Sequence, residues 1–230
     1  EIAFLVTEAF LISFFLIGFF TLIFLYLPDI FSLFGQKPEV VDVAKLYLMP
    51  LIYGITPCFL TLTCFSILAG LGKIQKIFIY NILYGVSNIL LSYAFIFGNF
   101  SAPKLGIFGA GLSITTSYLI ILILLLFDIY TNKEIKFYFS KVFSYQRKKQ
   151  LKEILRISSS LSIINFLEEA SFFILTLLVG TIGLEALAAN QVALQFLGIL
   201  LSIVFSVAQA ITIRVSFLVG MRDYRSIRIT

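Results

Sequence analysis

Ile157–Gly180 reads ISSSLSIINFLEEASFFILTLLVG. A helix of about 20 apolar residues crosses the ~30 Å hydrocarbon core of a bilayer. This stretch therefore reads as a membrane-crossing helix with two carboxylates, Glu168 and Glu169, near its middle. One carboxylate at the centre of such a helix costs about 2.5–3.5 kcal/mol on insertion scales. Two in succession imply either a polar cavity that receives them or a local means of keeping them neutral. Ionisable residues at membrane depth are candidates for ion or substrate pathways, so function is sought first at this pair.

The rest of the chain supplies the setting. Hydrophobic residues make up 60% of the 230 and charged residues 13%, where a soluble domain carries about 25% charged residues. Mean hydropathy is +1.05. Five more stretches match the membrane-spanning pattern: 9–27, 46–71 with Pro50 and Pro57, 77–97, 106–127, and 186–215 with Gln191, Gln195 and Gln209. The sequence predicts an all-α polytopic membrane bundle of six transmembrane helices. Pro28-Asp29 is expected to close the first helix, Gly70-Leu71-Gly72-Lys73 the second and Gly98-Asn99 the third. Most connections are short, so neighbours are expected as antiparallel hairpins. The exception is the long, charged connection 128–156 with Arg147-Lys148-Lys149. The chain opens at Glu1 and enters an apolar run within a few residues, with no signal-peptide pattern. Both ends read as cut from a longer protein.

Charge sets the expected orientation. Of the 17 basic residues, 13 fall in loops on the side of the long connection and three, Lys37, Lys45 and Lys104, on the other, with Arg214 at the end of the last span. The positive-inside rule makes the first side cytoplasmic. That asymmetry also explains the net charge of +5 without a nucleic-acid partner.

Around the glutamates, Asn165, Glu168 or Glu169, Phe172 and Thr176 recur at steps of three and four and share a face. Adjacent residues differ by about 100° around a helix, so the two carboxylates cannot reach the same spot. Spacing alone leaves open which faces a cavity and which is a neutral, hydrogen-bonded partner of another helix. Gln191 and Gln195, four apart, and Asn81, Asn88 and Ser92 on the third span read equally as pathway lining or as interhelical glue. Gly106-Ile107-Phe108-Gly109-Ala110-Gly111 lacks the Lys and Ser/Thr of a phosphate loop and reads as a close-packing surface. Cys58 and Cys64 lie six apart in an apolar run, point in different directions and read as packing residues. There is no His, and no Ser/His/Asp set, metal-ligand spacing or nucleotide motif, so bond chemistry lacks support. Transport is the simpler role.

Several segments together resemble the multidrug and toxic compound extrusion (MATE) transporters, particularly bacterial exporters of the NorM type. They are Ala44–Leu48 followed by Gly54-Ile55-Thr56-Pro57, Gly70–Lys73, Asn81 and Asn88 with Tyr93–Gly98, and Pro103–Gly106 with Gly109–Gly111 and Thr115. Glu168, Gly183, Ala188-Ala189-Asn190-Gln191, Ala210–Val215 and Gly220 complete the series. The resemblance implies a twelve-helix, two-lobe fold of which this chain is helices three to eight. Residues 1–130 would end the first lobe, 131–156 form the cytoplasmic interlobe loop, and 157–230 begin the second lobe.

The resemblance also implies a cation-coupled antiporter in the inner membrane that exports amphipathic organic cations. Glu168 would bind the coupling Na⁺ or H⁺, and no other cofactor is implied. Asn165, Glu169, Gln191, Gln195 and Asn88 would line or support the cavity. The expected partners are small cationic substrates and the lipid bilayer, with no nucleic acid, and the full-length transporter would be monomeric. This chain departs from the family pattern at Ser160, where a Pro is frequent, at Asn190, where bacterial exporters often carry His, and at Ser92, acidic in archaeal members. The rival readings are a lipid-linked oligosaccharide flippase of the same superfamily, expected to carry more basic residues in its cavity, and a non-transporting remnant.

Overall fold

In hydrocarbon a backbone must satisfy its hydrogen bonds within its own segment, and long apolar runs therefore become helices. The computed structural model describes residues 2–33, 38–100, 102–132 and 151–221. Six helices carry these residues: α1 (Ile2–Leu33), α2 (Pro38–Gly70), α3 (Ile74–Phe97), α4 (Gly106–Thr131), α5 (Leu151–Ile182) and α6 (Leu184–Gly220). The expected all-α fold is what is found. Among the described residues, five stretches are long and apolar enough to cross a membrane: Val6–Asp29, Val41–Gly70, Ile74–Phe97, Gly106–Thr131 and Glu185–Gly220. The remaining helix, α5, has 32 residues, about 48 Å at 1.5 Å per residue, and carries both glutamates.

The chain divides into two compact units, Glu1–Gln146 and Arg147–Thr230. In the first, α4 packs against both α2 and α3, and α1 packs against α2. Small residues make this possible. Gly109, Gly111, Ser113, Thr115 and Ser117 are all buried on α4, and a Cβ on Gly111 would stand 2.5 Å from the Tyr47 carbonyl oxygen and 2.7 Å from Pro50. A Cβ on Gly54 of α2 would stand 2.5 Å from Thr115 Oγ1. The glycine-rich start of α4 is thus the packing surface its sequence suggests. Below this crossing, Cys64 and Leu68 of α2 close a core with Ile121, Leu125 and Ile129 of α4.

The breakers act as expected at two of three places. Gly98, with φ 78°, caps α3 and returns its N–H to the Ala94 carbonyl, and α2 ends at Gly70 before a turn through Gly72. Pro28-Asp29 does not end α1, which continues to Leu33. Pro28 deletes only the bond to the carbonyl of Phe24, and the apolar sequence beyond it keeps the helix as the cheapest way to satisfy the backbone. At the other end of the long connection, α5 starts at Leu151, so residues 151–156 are helical rather than loop. Residues 133–150, with most of the basic cluster, and 222–230 lie outside the described residues.

Candidate functional site

The second unit is a helical hairpin, α5 and α6 meeting at Gly183. On α5 the half-buried residues Phe172, Thr176 and Val179 form a stripe at helical spacing. Projecting back along the helix at about 100° per residue, Asn165 falls almost on that stripe, and Glu168 and Glu169 fall roughly 50° to either side of it. All three are exposed within the unit. The geometry therefore places both carboxylates at the rim of one surface, mid-helix, and does not rank one above the other.

On α6 the half-buried stripe is Leu187, Asn190, Leu194 and Leu201. Gln191 and Gln195 lie beside it and are exposed. Counting from the Gly183 turn at about 1.5 Å per residue, Asn190 stands at the level of Thr176, and Gly198 at the level of Glu168. Gly198 is exposed, and a side chain there would meet nothing else of the described residues within 4 Å. Asn190 is the residue that sequence reasoning passed over as a site. Its Nδ2 is buried and has no hydrogen-bond partner among the described residues. The signal was available: Asn190 shares the 187/194/201 spacing, whereas Gln191 does not.

Each side-chain hydrogen bond described on α5 and α6 returns to its own helix. Thr176 Oγ1 donates to the Phe172 carbonyl at 2.9 Å, Ser171 Oγ to Leu167 at 2.7 Å and Ser206 Oγ to Ser202 at 2.6 Å. Asn165, Glu168, Glu169, Gln191 and Gln195 thus share a unit and a depth range, but no described hydrogen bond joins them.

In the first unit, polar residues are used differently. Lys76, Tyr80, Tyr84, Asn88 and Ser92 recur at every fourth residue of α3 and face α4. Lys76 Nζ pairs with the Asp128 carboxylate at 2.6 Å, with the Tyr80 side chain near the same carboxylate. Tyr84 packs on Tyr118 with ring centroids 4.5 Å apart, and Cys58 lies near Tyr118. Ser92 and Ser113 share a hydrogen bond of 2.8 Å. Of the five, only Asn88 has a buried amide nitrogen without a partner. Asn81, two turns away, is exposed and donates to the Ile77 carbonyl at 3.0 Å.

Two further cross-helix bonds complete the set. Ser13 of α1 meets Thr63 of α2 at 2.5 Å, and Thr115 Oγ1 of α4 donates to the Pro50 carbonyl at 2.7 Å. Cys64 is buried in the core and Cys58 is half-buried beside Tyr118, both as free thiols. Among the described residues, no group of three His, Cys, Asp or Glu side chains is placed to hold a metal ion.

The MatE family model matches residues 1–94 and 161–230, so Asn88, both glutamates and the whole of α6 fall within matched segments. A probable multidrug resistance protein NorM of Oceanobacillus iheyensis is 33% identical over 199 residues, 85% of this chain and 44% of that protein. A probable multidrug resistance protein NorM of Bacillus cereus is 31% identical over 212 residues, 92% of this chain and 46% of that one. The multidrug resistance protein NorM of Vibrio cholerae is 31% identical over 180 residues, covering 77% and 39%. The chain spans less than half the length of these curated relatives.

Proposed function

The chain belongs to the MatE family, and from that premise we propose that it forms the middle of a cation-coupled antiporter exporting amphipathic organic cations. Glu168 is the coupling carboxylate, taking Na⁺ or H⁺. The observation that carries this reading is a pair of carboxylates in mid-helix, exposed within the unit and inside the second matched segment. A carboxylate there is expensive in hydrocarbon and becomes useful once a cation can reach it.

Binding a cation shifts the balance between inward- and outward-open forms only if the two differ in affinity for it. A carboxylate on a helix that rearranges against its neighbours meets that condition, because its distance to other charges changes between the forms. In this reading Asn165, near the covered stripe of α5, and Gln191, flanking that of α6, line the path of the substrate. Glu169, Gln195 and Asn88 support it. The basic loop 131–156 and the C-terminal end lie on the cytoplasmic side of the inner membrane, and the full-length protein works as a monomer.

The test is ethidium efflux from energised cells expressing the full-length parent, as wild type and as Glu168→Gln, with Na⁺ and proton ionophores in parallel. The reading requires the wild type to export the dye. It also requires the variant to reach the membrane and lose ion-driven export. Unchanged export by the variant makes Glu168 structural, and no export by the wild type removes the drug-exporter reading.

A further inference from the structure

We draw no further inference here: the strongest candidate, the buried Asn88 amide nitrogen one helical turn from the Ser92–Ser113 pair between α3 and α4, falls at a first-lobe position already established in the family and so restates a known property.

Discussion

The two units of this chain differ in whether their polar side chains reach another helix. In the α1–α4 unit some do: Ser13 to Thr63, Lys76 to Asp128, Ser92 to Ser113 and Thr115 to the Pro50 carbonyl. Others, such as Asn81, Thr116 and Ser117, bond within their own helix. In the α5–α6 unit the described hydroxyls turn back on their own helices, and the carboxylates and glutamines stand exposed. A polar group in a membrane helix is either spent on holding helices together or left available. The first unit uses some of its polar groups for assembly, whereas the carboxylates and glutamines of the second have no described bond to another helix. Glu168 belongs to the available set.

The sharpest way to break that contrast is to neutralise a group in each unit and compare transport with stability. Glu168→Gln in the full-length parent is expected to lower ion-driven efflux by about tenfold or more, the scale of a typical coupling free energy. The thermal unfolding midpoint of the purified protein should not fall, because among the described residues no hydrogen bond or ion pair involves the Glu168 carboxylate. Glu169→Gln, measured in the same assay, is expected to retain export. If both variants lose export equally, the choice between the two residues fails.

The next largest effect lies in the first unit and has the opposite character. Gly54→Ala forces a methyl group onto Thr115 Oγ1, which lies 2.5 Å from the new Cβ. Overpacking of this kind costs about 1–3 kcal/mol, read as a lower unfolding midpoint and reduced yield of folded protein in detergent. The export that remains per folded molecule should be unchanged.

Smaller still is the ion pair between α3 and α4. Lys76→Met removes the cation paired with Asp128 and is expected to cost about 1 kcal/mol, the upper range for a partly exposed pair. Lys76→Asp combined with Asp128→Lys should recover most of that loss, and failure of the swap would show that geometry rather than charge carries the contact. Least of all, Ser92→Ala removes one hydroxyl of the pair with Ser113. Interhelical bonds in membranes average about 0.6 kcal/mol, so its unfolding midpoint should fall slightly and its efflux not at all. An efflux defect in Ser92→Ala would move that residue into the available set and weaken the contrast.

Much of this arrangement was legible before any geometry. Hydropathy and breakers place all six helices, because in a bilayer length and apolarity leave the backbone little choice. The glycine run of residues 106–111 was correctly read as a packing surface for the same reason that it failed as a phosphate loop. The end of α1 was misread because a proline stops a helix in water more readily than in an apolar run. The division of labour between the units was not legible. Spacing puts Ser92 on the same face as Asn88, but only the position of Ser113 on another helix shows that Ser92 is glue. Asn190 was passed over in favour of Gln191 because one position along the sequence means about 100° around the helix, and the covered stripe that selects Asn190 belongs to the packed hairpin. The register of Glu168 against Glu169 stays symmetric about the α5 stripe even in the folded unit, so the assignment of Glu168 rests on family resemblance.

That assignment is tested most directly in proteoliposomes of the purified full-length parent, where an imposed Na⁺ or pH gradient drives ethidium movement without a cell around it. The account predicts that one of the two gradients drives transport in the wild type and in Glu169→Gln, and that neither does so in Glu168→Gln despite normal folding and insertion. Gradient-driven transport by Glu168→Gln at the wild-type rate would contradict it.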